Sequence, residues 1–405
     1  LNSEKRAMSA FIILAVLILL FTAFFFIGKI SETSMSIRKA NASEDGEDSY
    51  DDMEYVSNIN GYLSLAFMVG FLFLSFYGTL HYLPRMIPKL ANSIHGQELD
   101  KMFMRTYYIT AAIFLITHVV LFAFVFMYRY KRNRKAYFFS HSNTLEIIWT
   151  TIPAIAMAYL VYTGIIAWNE TFTKDNSFTE YFGEDHSDKM PITMEVTGYQ
   201  FGWKVRYPGA DGSLGNRVID DEHINEFYAT YSLPNELGVD WQDDSTSHDD
   251  LFVDDTIRFV KGHPAIVNVG ALDVLHSFYL PHFRIKMDCV PGTPNQIKFI
   301  PLYSTEEYRE ILSKEAYWQE INEATGQPRW ETFNFELACT ELCGASHWAM
   351  QKYVKVYETM DEFYAWQNAQ TPYYVSTVEP AIAAVDNPTE EEAEEDEASI
   401  EMAKN

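Results

Sequence analysis

The sequence predicts a membrane protein in two parts, transmembrane α-helices first and an all-β domain after them. Three observations carry this. Four apolar stretches, each near the twenty residues needed to cross a bilayer, fall within the first 170 residues. From residue 190 onward, short segments rich in β-branched and aromatic residues alternate with turn signals. Between the third and fourth apolar stretches, Arg129-Tyr130-Lys131-Arg132-Asn133-Arg134-Lys135 holds five positive charges and no acid, which marks a cytoplasmic loop.

The four spans are expected at Met8–Ile27, Ile59–Leu83, Thr106–Tyr128 and Leu145–Trp168, the last two forming a hairpin. The first follows Lys5 and Arg6, as a signal peptide would. Its apolar run is long for one, however, and no small-x-small cleavage site follows, so a retained span is expected. With the 129–135 loop inside, everything after Trp168 is extracytoplasmic. Lys29, Arg38 and Lys39 then also lie inside, and Arg85, Lys89, Lys101 and Arg105 lie outside.

The chain has 405 residues, 30 Lys and Arg against 56 Asp and Glu, and a net charge of −26. Such a surface repels phosphates and favours a basic partner, so nucleic acid binding is not expected. The acids are concentrated in three runs: residues 31–58, 211–255 and 376–405 carry net charges of −6, −12 and −9. Three cysteines are too few for a disulfide scaffold.

In the polar half, strands are expected at Ile192–Gln200, Trp203–Tyr207, Ala265–Val269, Ser277–Leu280, Gln296–Pro301, Phe333–Ala338 and Lys352–Tyr357. Many short strands in one stretch argue for a sandwich or barrel. The acidic run 211–255 reads as an inserted loop, and Thr305–Ala324 as a helical insertion. The last thirty residues, with Glu390-Glu391-Glu392-Ala393-Glu394-Glu395-Asp396-Glu397, read as disordered. The domains are then two additional N-terminal spans (1–105), a hairpin (106–170), an extracytoplasmic β domain (171–370) and an acidic tail (371–405).

One stretch carries the chemistry: Cys339-Thr340-Glu341-Leu342-Cys343-Gly344-Ala345-Ser346-His347-Trp348-Ala349-Met350. Two thiols, an imidazole and a thioether within twelve residues form a soft ligand set of the kind copper prefers. A second thiolate four residues from the first allows two ions to share both sulfurs. Each ion then needs its own nitrogen, and His276 in Asp273-Val274-Leu275-His276-Ser277-Phe278 is the best candidate for the second. Two competing readings are a structural zinc site, which leaves Met350 unexplained, and a Cys339–Cys343 disulfide. Cys289 reads as a buried core thiol.

These residues resemble subunit II of the haem–copper cytochrome c oxidases. Cys-x-Glu-x-Cys-Gly-x-x-His-x-x-Met, with Asp-Val-x-His-Ser upstream and a Pro291-Gly292 turn, matches that family's binuclear copper pattern. The likeness runs from Tyr107 to about Asn368 and includes Leu145-Glu146-Ile147-Ile148-Trp149-Thr150 and Gly198-Tyr199-Gln200-Phe201-Gly202-Trp203.

The resemblance implies a cupredoxin sandwich behind a membrane hairpin. It implies a binuclear site of two copper ions, with His276 and His347 each binding one, Cys339 and Cys343 bridging both, and Met350 axial to one. The carbonyl of Glu341 would bind the other copper, while its side chain reaches Mg²⁺ or Mn²⁺ shared with subunit I. Asp273 would be an acidic docking residue for cytochrome c, and Glu146 would lie at the mouth of a proton-uptake channel. The aromatic residue where electrons enter, usually a tryptophan, is here Phe201, with Trp203 two residues on. Further implications are partnership with subunits I and III and a cytochrome c donor, transfer to haem in subunit I where dioxygen is reduced, and proton translocation by the complex. The location implied is a bacterial inner membrane with the copper domain periplasmic. The added spans and insertions suggest contacts within a larger respiratory assembly.

Overall fold

The computed structural model describes residues 27–35, 47–86, 90–172, 189–218 and 222–386. Three long helices come first: α1 (Glu47–Met86), α2 (Ile94–Met127) and α3 (Asn143–Phe172). Each contains a stretch long and apolar enough to cross a membrane, Asp51–Leu83, Ile94–Met127 and Asn143–Asn169. These match the second to fourth expected spans. The first, Met8–Ile27, lies outside the described residues but for Ile27.

The chain divides into two compact units, Leu1–Ile87 with Thr106–Ala156, and Pro88–Arg105 with Met157–Asn405. Within the first, α1 meets α2 along an aromatic seam. Tyr62 packs edge-on to Phe126 at 5.2 Å between ring centroids, Phe67 meets Phe122 at 5.7 Å, and Phe71 meets Phe114 at 5.9 Å. At the end of the seam Arg129 donates to the Asn58 side chain at 2.7 Å and stacks on Phe126. Arg132 pairs with Asp51 at 3.3 Å, and its N–H donates to Glu54. The acids of the 31–58 run that precede α1's apolar part therefore neutralise part of the basic loop, and the start of α1 lies on the loop's side of the bilayer.

The second unit is a sandwich of two five-stranded sheets. The strands are β1 (Ile192–Tyr199), β2 (Gly202–Tyr207), β3 (Leu251–Val253), β4 (Thr256–Val260), β5 (Ala265–Ala271), β6 (His276–Leu280), β7 (Ile285–Cys289), β8 (Asn295–Phe299), β9 (Phe335–Cys339) and β10 (Gln351–Tyr357). One sheet runs β3-β2-β1-β5-β8 and the other β4-β10-β9-β6-β7. The β1–β5 and β4–β10 pairs are parallel and the rest antiparallel. Alternating residues from both sheets, among them Met194, Val196, Val267, Phe278, Phe299, Phe335 and Val354, fill the core between them.

The seven expected strands are present with ends shifted by one or two residues. Three strands escaped the sequence reading. β3 and β4 flank Asp254-Asp255 at the edge of the acidic run, and β7 alternates Lys286 and Asp288 with buried positions, so polar residues mask the pattern. The 211–255 insertion is not a plain loop. It contains a helix, α4 (Glu222–Thr230), and a satellite core of Tyr228, Leu233, Leu237, Val239 and Trp241.

That satellite core also holds Val378, so the expected disorder of the last thirty residues is corrected for its first part. Residues 373–386 are helical, and Tyr373 stacks on Trp241 at 5.1 Å while Tyr374 stacks on His248 at 3.7 Å. An acidic composition does not disorder a segment that places aromatic rings on an apolar face. The Glu390–Glu397 run lies outside the described residues. The 305–324 insertion begins with α5 (Thr305–Leu312), capped by a reciprocal Ser304–Glu307 capping box.

A second correction concerns the boundary at residue 105. Residues 90–105 belong with the sandwich. The Asn92 side chain accepts from the N–H of Tyr303 at 2.7 Å and donates to its carbonyl, and Ser93 donates to the Phe283 carbonyl at 2.6 Å. Asp100 holds Arg284 through two bonds of 2.7 and 2.9 Å. Gly96 comes so close that a Cβ would lie 2.7 Å from the Phe283 carbonyl oxygen, which explains why no larger residue stands there. The start of α2 is therefore packed as part of the sandwich unit.

His282 sits between these parts, its ring 5.0 Å from Phe333 and 5.7 Å from Phe335. Burial, with Arg284 nearby, pushes its imidazole down to about 4. The folded protein thus resists a proton that the unfolded chain takes up below about 6.5, so stability is full above that pH and falls as pH drops toward 4, at roughly 1.4 kcal/mol per unit. Burial pushes the His95 imidazole down to about 4 as well, so thermal unfolding in detergent should show a lower midpoint at pH 5.5 than at pH 7.5, and His282→Gln should remove about half of that difference. A midpoint that falls equally in both proteins would assign the effect to other groups.

Candidate metal centre

The copper-loop residues gather where β6 and β9 run side by side. Pairing of Phe278 with Cys339 brings the start of β6 against the end of β9, and so places His276 beside the first thiol. The chain then turns through residues 340–350 before β10 begins. Gly344 makes that turn at a φ of 133°, where a Cβ would lie 2.9 Å from the Phe201 ring.

The distances describe a cluster of soft donors. The sulfurs of Cys339 and Cys343 are 4.0 Å apart and unbonded, which disposes of the disulfide reading in this structure. Nδ1 of His276 lies 3.9 Å from Cys339 Sγ, and Nδ1 of His347 lies 3.4 Å from Cys343 Sγ. Met350 Sδ is 3.3 Å from Cys343 Sγ. Ligand atoms of His276, Cys339 and Cys343 all fall within 4.8 Å of one another. Metal–thiolate bonds are about 2.3 Å long, so one ion can touch both sulfurs without moving them. The carbonyl of Glu341 accepts from Cys339 Sγ at 3.2 Å, which puts a backbone oxygen at the cluster too.

Burial and the neighbouring Cys339 sulfur push the Cys343 thiol up to about 11. A bound cation must therefore displace its proton, and metal affinity rises with pH. Burial likewise holds the Cys289 thiol at about 12. Cys289 pairs with His276 across β6 and β7, is fully buried, and stays a core thiol.

Asp273 takes a part the sequence did not suggest. Its Oδ1 accepts from His276 Nε2 at 2.8 Å and from the Val274 N–H, and its Oδ2 accepts from the Gln200 N–H at 2.7 Å. Burial raises this carboxyl, but the bonds from His276, Gln200 and Val274 outweigh it and hold it below its ordinary value. A carboxylate behind a histidine fixes its tautomer and turns the other ring nitrogen to the metal side. The three-residue spacing from Asp273 to His276 is the signal for this contact in the sequence. Gln200 ties in the third loop, since its side chain donates to the Cys343 carbonyl.

The two aromatic residues expected to admit electrons part company. Trp203 is buried, its Nε1 donating to the Met350 carbonyl at 3.4 Å and its ring edge-on to His276 at 6.1 Å. Phe201 reaches the surface, 39% exposed. Glu146 is exposed in the first turn of α3, far along the chain from the cluster and in the other unit.

A two-sheet sandwich with a cysteine–histidine–methionine cluster at one end, carried on apolar membrane helices, defines a membrane-anchored domain of the cupredoxin-like type. Residues 86–163 match the family model for the cytochrome c oxidase subunit II transmembrane domain, and residues 192–307 match that for its periplasmic domain. An alternative cytochrome c oxidase subunit 2 from Bradyrhizobium diazoefficiens is 27% identical over 278 residues, covering 68% of this chain and 81% of that protein. Cytochrome c oxidase subunit 2 of Cereibacter sphaeroides is 28% identical over 280 residues, covering 68% and 77%. The crystal structure of the periplasmic domain of a cytochrome oxidase subunit II from Bradyrhizobium japonicum aligns at 23% identity and a TM-score of 0.26, covering 44% of this chain and 92% of that one. Over residues 86–163 and 192–307 the chain matches the cytochrome c oxidase subunit II family, and both of these relatives are named as subunit 2 of such an oxidase.

Proposed function

We propose that this chain holds two copper ions between Cys339 and Cys343 and accepts electrons from a cytochrome c for delivery to haem in subunit I. The observation that carries the reading is the pair of unbonded sulfurs 4.0 Å apart with an imidazole nitrogen beside each. When bound, the copper pair supplies a one-electron carrier whose charge is spread over two metals and two sulfurs, so that little geometry changes on reduction.

The chain's own residues do the rest. Cys339, Cys343, His276, His347, Met350 and the Glu341 carbonyl would hold the two ions, the two thiols giving up their protons on binding. Asp273 and Gln200 hold the three loops in register, so the ligands need not rearrange between oxidation states. Burial of Cys339, Cys343, Met350 and His276 excludes water from the inner side. The Glu341 side chain, a hard oxygen ligand, suits Mg²⁺ or Mn²⁺ at the junction with subunit I. Glu146 at the start of α3 serves proton uptake on the loop side. Subunits I and III are the immediate partners, in a bacterial inner membrane with the sandwich on the periplasmic face, and the added segments suit contacts in a larger respiratory assembly.

The test is an electron paramagnetic resonance spectrum, with metal analysis, of the purified oxidase. Hyperfine structure from one electron shared equally by two copper nuclei supports the reading. A single-copper pattern, or zinc in the site, overturns it.

Asp273 offers a second check, because its place behind His276 and a docking role predict different behaviour. Asp273→Asn should weaken copper retention against a chelator by about ten- to a hundredfold, the usual cost of losing a partner behind a metal ligand. The loss of turnover should then be similar at low and high salt. A defect confined to low ionic strength would instead mean that the carboxylate acts on the donor through charge.

A further inference from the structure

The copper-loop end of the sandwich exposes large apolar side chains that its interior does not need. Leu342 is 80% exposed and Trp348 78%, and Leu275, Val274 and Phe201 stand beside the same loops with 39–47% of their surface in water. Exposed apolar groups gathered around a functional site mark a surface that a partner covers. Of the ligands, His276 is fully buried while His347 is only half-buried, so the nitrogen ligand nearest to solvent belongs to the loop that carries Trp348. Trp348 is the next residue in the chain. It follows His347 within a single 3₁₀ turn, His347–Ala349, and its indole makes no hydrogen bond or ring contact among the described residues.

We propose that Trp348 is the residue through which electrons enter, in place of Phe201, and that the apolar rim around it seats the haem edge of a basic electron donor. The inference rests on the copper reading above. In the step itself, one electron leaves the donor's reduced haem and arrives on the copper pair by way of the indole and His347, and no proton moves. The indole is separated from that ligand by one peptide unit. Phe201 reaches the cluster by packing on Gly344, through a van der Waals gap. A through-bond path of this length is the better conductor. The indole is also the larger and more exposed contact, and tryptophan is the residue type that most often dominates binding at an interface. The 211–255 run, net −12 and in the same unit as this rim, favours a basic donor over an acidic one.

The experiment uses the intact oxidase carrying Trp348→Leu, Trp348→Phe or Phe201→Leu, with a basic c-type cytochrome as donor and hexaammineruthenium as a small reductant. The copper spectrum is recorded first, so that a wild-type protein without the shared-electron signal would sink the copper reading and not this one alone. With the signal intact in all three variants, Trp348→Leu should slow copper reduction by the cytochrome about tenfold or more, and leave reduction by hexaammineruthenium and onward transfer to haem within about twofold. Binding of the zinc-substituted, redox-inactive cytochrome should weaken in parallel, and Trp348→Phe should restore much of both. A larger defect in Phe201→Leu than in Trp348→Leu would return electron admission to Phe201. Equal slowing with both reductants, or slowed transfer from copper to haem, would place Trp348 against subunit I and overturn the proposal.

Discussion

Cys343→Ser is expected to abolish the shared-electron copper signal and to reduce oxidase turnover by more than about a hundredfold, since even partners behind metal ligands cost up to that much when lost. Cys343 sits at the centre of the cluster, with Met350 Sδ, His347 Nδ1 and Cys339 Sγ at 3.3, 3.4 and 4.0 Å from its sulfur. A serine hydroxyl is close to the same size. It is a hard donor, though, and does not ionise near neutral pH, so it cannot bridge two soft ions. Copper content should drop from two ions to at most one per chain. Cys289→Ser is the control for thiol chemistry in general, because that sulfur is buried behind the ligand set and should be replaceable without change in the signal. An unaltered spectrum in Cys343→Ser would end the bridging assignment.

The second large effect is expected away from the metal. Arg206 is 2% exposed in β2 and joins Glu195 of β1 at 2.8 Å, Asp250 at 2.9 Å, and the Gly215 carbonyl at 2.9 Å. Glu195 also accepts from Arg217 at 2.6 Å, so this one network staples both ends of the 211–255 insertion to the face of the sheet. Burial pushes the Asp250 carboxyl up to about 7 even with Arg206 beside it. Arg206→Ala strands Asp250 with no cation, and breaking a buried pair from one side costs about 3–5 kcal/mol. For a domain of this size the midpoint of thermal unfolding should fall by roughly 10 °C. Arg206→Met combined with Asp250→Leu removes both charges together and should recover much of that loss. If the double variant is as unstable as Arg206→Ala, the network matters for packing and not for charge.

The position of this network explains why the insertion is ordered at all. Thirteen acids and one base over 211–255 would be expected to repel one another into an open loop. Instead Asp240, Asp244 and Asp249 accept backbone N–H groups within the insertion, among them those of Asp243, Asn216 and Asp211. Each such bond replaces water around a carboxylate with a fixed donor, and the aromatic residues between the acids supply the satellite core. Charge counted along the chain does not register either effect. The same blindness applies to residues 373–386, where Tyr373, Tyr374 and Val378 find an apolar face built by a segment more than a hundred residues earlier.

What the sequence determined by itself was whatever depends on neighbours along the chain. The twenty-residue apolar runs fixed three membrane helices now seen, because a bilayer's thickness is a length that sequence expresses directly. The spacing of Cys339, Cys343, His347 and Met350 fixed a soft-donor loop, because the eleven residues between β9 and β10 must fold back on themselves. The tertiary structure decided what depends on residues distant in sequence. Pairing of β6 with β9 delivers His276 to Cys339 across sixty residues, and the turn before β2 delivers Gln200 to Asp273 and Cys343. Those contacts set Asp273 behind the His276 ring and buried Trp203 beneath the cluster. They also left Trp348 in water, a matter of which face of a turn points outward and of nothing that its neighbours in the chain specify.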